Sequence, residues 1–261
     1  MNPNQIGTED INFFQENGYF QIHNFFDKLA ISELKHALDK TIEDKRAQFL
    51  DIDDKANKNY NQVFNQMVNL WVDYENIRKY SFDARMAEIA RKLSCSRHLM
   101  IYHDHGLIKP GGQNSRATNW HQDAPYWPME QVGALSAWIA VDNVTVDNGC
   151  MQFIPGSHKY GRLPPVKLDI EGESVLSKIG EKGLDKEPVV MEMEAGGITF
   201  HHGCTFHYAT PNYSNLPRRA LAIIYIPDNV NYNGRWNAGG DHNLKIGEPF
   251  CGPQHPILAS G

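Results

Sequence analysis

The 261-residue chain carries 25 Lys and Arg against 31 Asp and Glu, a formal net charge of −6, so no basic surface predicts binding to nucleic acid or to an anionic membrane. Hydrophobic residues make up 41% and charged residues 21%, ordinary for a soluble globular protein with a sizeable core, and no apolar run approaches the roughly 20 residues that cross a bilayer. The start, MNPNQIGTED, lacks the basic and apolar regions of a signal peptide, and Cys95, Cys150, Cys204 and Cys251 are scattered without a C-x-x-C pair, which predicts free thiols and a cytoplasmic location.

Residues 8–17 read as a short helix, capped by Thr8 and stopped by Gly18. Tyr19–His23 reads as a strand. Ile31, Leu34, Leu38 and Ile42 form a helical stripe within 28–49. Residues 51–61 are rich in Asn, Asp and Lys and predict a surface loop. A second helical zone spans about 62–93, with Ser81 capping its last helix and Met86, Ile89, Ala90 and Leu93 facing inward. After Ser94 the pattern changes to short β-rich runs broken by Gly, Pro and Asn: Leu99–His103, Thr118–Asp123, Ala134–Val141, Gly149–Ile154, Val189–Glu194, Ile198–His202 and Ala220–Ile226. Strands at this spacing predict a sandwich or barrel. With no linker or repeat, the whole chain, residues 1–261, reads as one domain: a helical region over 1–95, a β core about 97–230 and a C-terminal extension 231–261. The polar stretch 159–186 interrupts the strand rhythm and reads either as a lid or as a plain surface insertion.

The chemistry concentrates in Asn119-Trp120-His121-Gln122-Asp123-Ala124-Pro125-Tyr126-Trp127. On a strand, residues two apart share a face, so His121 and Asp123 are predicted to project together as two of the three ligands of a facial iron site. Downstream, Gly196-Gly197 leads into a run ending at His207, the candidate third ligand, and Arg218-Arg219 opens the last β run. Two imidazoles and one carboxylate leave three positions open on Fe(II). A 2-oxo acid fills two and O2 the third, while the acid's far carboxylate needs a buried cation, a role that suits the guanidinium fork of Arg. On an extended strand Arg218 and Arg219 face opposite ways, so one of the pair is expected in the site and Arg219 at the surface.

Four segments carry a resemblance: MIYHDHGLIKPGG, NWHQDAPYWP, LSAWIAVDNVTVDNGCMQFIPGSHKYG and GITFHHGCTFHYATPNYSNLPRRALAIIYIPD, covering roughly residues 100–228. Together they resemble the phytanoyl-CoA dioxygenase family of Fe(II)- and 2-oxoglutarate-dependent oxygenases. The resemblance implies a double-stranded β-helix (jelly roll) with N-terminal helices packed on one sheet. It implies metal ligands at His121, Asp123 and His207 and a 2-oxoglutarate-binding Arg218. It also puts Trp138 beside the co-substrate, with Tyr102 or His103 in contact. Relatives often carry Ser or Thr two residues after the distal His; here Ala209 stands there, and Thr210 or water is the expected replacement. Halogenating relatives replace the carboxylate by Gly or Ala, so Asp123 favours hydroxylation or another C–H oxidation, with release of succinate and CO2.

Simpler readings accompany these. His103, His105, His201 and His202 read as core or surface histidines, with ligand orientation as the alternative. His201 lies an even number of residues from His207, so an unbroken strand aims both at one face. Tyr126 and Trp127 read as substrate contacts or as packing aromatics, and Lys109 as a turn charge or a pocket residue. The partner expected is a small molecule, not nucleic acid or membrane, and the protein a monomer or weak homodimer. The alternatives are a non-catalytic metal-binding jelly-roll protein or sensor that has kept the pocket, and a metal-dependent isomerase or hydrolase, which has no use for a carboxylate clamp at Arg218.

Overall fold

A computed structural model describes residues 3–49, 65–113, 115–168, 172–179, 186–241 and 243–261. The loop expected at 51–61 lies outside the described residues. Among the described residues, eleven strands form two antiparallel sheets. The larger runs β1 (Tyr19–Ile22), β8 (Ile198–His202), β5 (Leu135–Ala140), β10 (Arg218–Pro227), β3 (His98–Lys109) and β11 (Ile257–Ser260), with β2 (Asn65–Val68) also on β3. The smaller runs β4 (Thr118–His121), β9 (His207–Ala209), β6 (Met151–Phe153) and β7 (Val189–Val190). The interleaved order, with β8 beside β5 and β9 beside β4, is that of a double-stranded β-helix. Among the described residues no helix is long and apolar enough to cross a membrane.

Helices α1 (Thr8–Asn17) and α2 (Lys28–Phe49), with the short helices Leu70–Asp73, Glu75–Ser81 and Ala84–Leu93, cover the outer face of the larger sheet. The helical stripe buries Ile31, Leu34 and Leu38, and Ala84–Leu93 buries Met86, Ile89, Ala90 and Leu93. They pack on Leu221, Ile223 and Tyr225 of β10, while the alternate residues Ala220 and Ala222 face the barrel interior. The side-chain period of two divides one strand between two cores. Because Ala220 and Ala222 are small, the interior beneath the smaller sheet keeps room for a cavity, which Ala222 lines.

Several local expectations are corrected. The N-cap of α1 is Gly7, whose N–H donates to the Asp10 carboxylate at 3.0 Å, and Thr8 is the first helical residue. Gly18 ends α1 at φ 79°, as a C-cap glycine does. Residues 65–68 are a strand, not helix, because β2 pairs with the exposed edge of β3. Asp83, not Ser81, caps Ala84–Leu93, accepting from the N–H groups of Arg85 and Met86. Ser81 is buried and donates to Asp104 at 2.6 Å. β3 is far longer than its predicted run and contains a bulge: Ile224 pairs with His103 but Tyr225 with Ile101, leaving Tyr102 as the extra residue.

Candidate metal and co-substrate site

His121 ends β4 and His207 opens β9, and the two are direct partners across the antiparallel pair. That pairing brings together residues far apart in the chain, with ring centroids 4.0 Å apart. Each ring is pinned by its Nδ1, which donates to the Asn119 carbonyl at 2.7 Å for His121 and to the Thr205 carbonyl at 3.0 Å for His207. Each Nε2 therefore carries a lone pair. Asp123 does not lie on the strand. β4 stops at His121, and Asp123 takes helical backbone angles (φ −81°, ψ −39°) at the entry to the 3-10 turn Ala124–Tyr126. The N–H groups of Asp123 and Ala124 both donate to the Gly203 carbonyl, at 2.9 and 2.8 Å, and this anchors the loop.

Asp123 Oδ1 lies 3.6 Å from His121 Nε2 and 3.5 Å from His207 Nε2. The ligand atoms of the three residues all lie within 4.8 Å of one another. Three acceptors facing one another without a proton repel; a cation between them turns the repulsion into coordination. Two imidazoles and one carboxylate suit Fe(II) with open positions. Burial pushes the His121 imidazole below its ordinary value and His207 down to about 3, so both are neutral and ready to ligate. Burial opposes ionisation of Asp123, but the positive charge that the surrounding His207, His201 and His121 site attracts, with the hydrogen bond from His201, outweighs it and holds the carboxyl well below the usual range.

Arg218, the first residue of β10, is 5% exposed and lines the same cavity as the triad. Its guanidinium lies over the Trp138 ring, 5.0 Å from the centroid, and its Nε and Nη1 are buried without a partner. Unsatisfied guanidinium donors in an interior are costly, and a carboxylate offered from the cavity would satisfy them in a bidentate pair. Burial lowers Arg218 only to about 10, so it stays cationic at neutral pH. Lys109 is the register partner of Arg218 on β3 and is fully buried, its Nζ donating to Thr118 Oγ1 at 3.2 Å. Burial, reinforced by Arg218, holds Lys109 well below its usual value. It is therefore no turn charge. Arg219 points the other way, to Asp39 at 2.6 Å and Asp142 at 3.1 Å on the outer surface.

The family model described as "Phytanoyl-CoA dioxygenase (PhyH)" matches residues 14–220. The chain belongs to the phytanoyl-CoA dioxygenase family. Among its relatives, the peroxisomal phytanoyl-CoA dioxygenase of Bos taurus is 24% identical over 240 residues, 88% of this chain and 71% of that protein. Dioxygenase lolE1 of Epichloe uncinata is 27% identical over 232 residues, 84% and 82% of the two chains. Among solved structures, the non-heme alpha-ketoglutarate-dependent carbocyclase SnoK from nogalamycin biosynthesis superimposes with a TM-score of 0.83 at 22% identity, covering 99% of each chain. EctD from S. alaskensis, solved with 2-oxoglutarate and 5-hydroxyectoine, gives 0.70 at 21% identity over 88% of this chain and 79% of its own. Like other phytanoyl-CoA dioxygenase family members, the protein is an Fe(II)- and 2-oxoglutarate-dependent oxygenase with a jelly-roll fold.

Of the residues singled out in the sequence, His121, Asp123, His207, Trp138 and Arg218 line one cavity. His105, His201 and Ala209 line it as well, whereas Tyr102, His103, Thr210, Tyr126 and Trp127 lie outside its lining. Tyr102 is buried with its hydroxyl accepting from the Ala238 N–H, and its ring stacks on His255 in the C-terminal extension. The bulge explains why it turns that way. His103 sits behind His105, rings 5.2 Å apart, and it is His105 that reaches the cavity. Thr210 donates to the Val146 carbonyl at 2.9 Å and does not replace the missing hydroxyl at Ala209. Tyr126 donates to the Val166 carbonyl and accepts from the Val166 N–H, tying 161–166 to the Asp123 loop, as does Gln122 through Gly161 and Leu163. Trp127 is packed with Met129 and Cys204. Sequence reasoning misses Ser136 and Met151 as lining residues, and it reads His105 and His201 as core or surface histidines with ligand orientation only as the alternative. Strand parity is the available signal for His201, although the strand breaks between His202 and His207.

Gly203 couples packing to the site. A Cβ there would lie 2.3 Å from Trp127 Cζ3 and 3.0 Å from Cη2. Gly203→Ala is expected to cost about 1–3 kcal/mol through overpacking and to displace the carbonyl that holds Asp123. Thermal unfolding and Fe(II) titration should show both losses; unchanged Fe(II) affinity would mean that the Gly203 loop does not set the carboxylate.

Acid stability offers a second check. Burial lowers His103 to about 4, His105 to about 3 and His202 to about 4. A base with a depressed folded value stabilises the protein above its unfolded value near 6.5 and loses that contribution as pH falls through the folded one. Asp104, raised by burial to about 6, acts oppositely, binding its proton in the folded state first. Unfolding between pH 6 and 4 should take up at least about two protons net, each worth about 1.4 kcal/mol per pH unit. Urea midpoints of the metal-free protein measured from pH 7 to 4 should fall accordingly, and a flat profile would show these imidazoles to be solvated.

Proposed function

We propose that the protein hydroxylates, or otherwise oxidises at a C–H bond, a small organic metabolite, consuming O2 and 2-oxoglutarate and releasing succinate and CO2. The observation that carries this reading is the convergence of His121 Nε2, Asp123 Oδ1 and His207 Nε2 in a cavity that also holds the unpartnered guanidinium of Arg218. In this reading His121, Asp123 and His207 hold Fe(II), and Arg218 holds the far carboxylate of 2-oxoglutarate against Trp138. When bound, the ferrous ion supplies the redox chemistry that couples decarboxylation of the keto acid to C–H oxidation. The chain contributes orientation. The Nδ1 bonds to Asn119 and Thr205 aim the two imidazoles, Gly203 fixes the Asp123 loop, and the buried walls exclude water.

A small-molecule substrate is supported by relatives named for work on such molecules, including the carbocyclase from nogalamycin biosynthesis. A natural-product intermediate fits that company. The segment 161–166, tied to the Asp123 loop through Tyr126 and Gln122, would act as a lid over the substrate side. The test is direct. Anaerobic addition of Fe(II) and then 2-oxoglutarate should give a weak visible charge-transfer band, and admission of O2 should yield succinate. Absence of both in iron-loaded protein would overturn the reading.

A further inference from the structure

A fourth imidazole leans on the triad. His201 Nε2 lies 3.1 Å from Asp123 Oδ2, the oxygen turned away from His121 and His207, and Ser136 Oγ donates to the same oxygen at 3.2 Å. The two carboxylate oxygens are thus differentiated. Oδ2 faces two donors, whereas Oδ1 faces the two imidazole lone pairs. An ionised carboxylate only accepts, so His201 Nε2 is the donor to Oδ2, while its Nδ1 is buried without a partner. Ser136 and His201 are cross-strand partners on β5 and β8. They belong to the larger sheet, whereas Asp123 comes from a loop. The pair therefore ties the loop-borne ligand to the rigid sheet.

We propose that His201 is a positioning residue for the metal. With Ser136 it occupies Asp123 Oδ2, so that the carboxylate ligates through Oδ1 alone and three metal positions stay open. A carboxylate free to turn would chelate with both oxygens and take one of the positions that 2-oxoglutarate and O2 need. This inference rests on the His121, Asp123 and His207 site proposed above.

The test compares His201→Phe, His201→Gln, Ser136→Ala and Asp123→Ala with the wild type by anaerobic Fe(II) titration, followed by the visible spectrum at saturating Fe(II) and 2-oxoglutarate. Phenylalanine suits the space, because the His201 ring already packs against Phe153 with centroids 5.2 Å apart. His201→Phe should weaken Fe(II) binding by about tenfold or more, the usual effect of removing a partner of a metal ligand, and shift the charge-transfer band. Glutamine keeps a donor and should restore most of the affinity and the band position, which a purely packing role would not predict. Ser136→Ala should act in the same direction and serves if His201→Phe does not fold. His201→Phe and Ser136→Ala binding Fe(II) within about twofold of wild type with unshifted bands, while Asp123→Ala loses the metal, would overturn the role of His201 alone. A wild type that binds no Fe(II), or Asp123→Ala indistinguishable from wild type, would overturn the metal site and this inference with it.

Discussion

Asp123→Ala will abolish 2-oxoglutarate-dependent turnover and reduce Fe(II) affinity by more than about 100-fold, beyond the range typical for partners of a ligand. Asp123 supplies the one anionic ligand atom of the triad, and its Oδ1 completes the face begun by His121 and His207. Fe(II) at about 100 times its dissociation constant stabilises the native state by about 2.7 kcal/mol. Wild type should therefore gain roughly 5–10 °C in melting temperature on iron addition under anaerobic conditions, and the variant close to none. The alanine leaves a gap beside two neutral imidazoles, so azide should alter the spectrum of any residual metal complex. Normal turnover by the variant would remove Asp123 from the ligand set.

Arg218→Ala should raise the 2-oxoglutarate requirement by at least about thirtyfold, the lower end of the 2–5 kcal/mol lost when a buried charge-assisted pair is broken. Fe(II) affinity, measured without 2-oxoglutarate, should stay within about twofold, because the guanidinium contacts Trp138 and not the triad. Arg218→Lys keeps the charge but loses the planar fork and the stacking on Trp138, and should fall between the two. A change below about threefold in Arg218→Ala would remove Arg218 from the co-substrate site.

The features of the site legible in the sequence are those fixed by residue type and by strand parity. Alternation alone separates Arg218 from Arg219, and the structure aims one inward and the other at Asp39 and Asp142. The stripe Ile31, Leu34 and Leu38 and the inward face of Ala84–Leu93 follow from a period of 3.6. What parity cannot give is where a strand ends or gains a residue. The His-x-Asp spacing predicts Asp123 on a strand beside His121, yet it reaches the same point from a helical turn, held by the distant carbonyl of Gly203. The family resemblance aims Tyr102 at the co-substrate and adjacency to Ala209 aims Thr210 there; the bulge and the Val146 carbonyl send them elsewhere. β2 is invisible because a four-residue strand with one free edge to fill carries little pattern of its own. The contact of His201 with Asp123 is not legible because it comes from a loop that sequence places far away.

The supernumerary Tyr102 sets the phase of everything after it on β3. It lets Met100 and Tyr102 face one end of the barrel while His105 and Leu107 face the cavity and Asp104 turns out to Ser81 and Trp71. With Tyr102 kept in the ladder and no bulge, strict alternation from Met100 and Tyr102 would deliver Asp104 and Gly106 to the interior and turn His105 and Leu107 toward the helices. Absorbing one unpaired residue at this point is therefore what puts an imidazole and a leucine, rather than a carboxylate and a glycine, on the cavity wall.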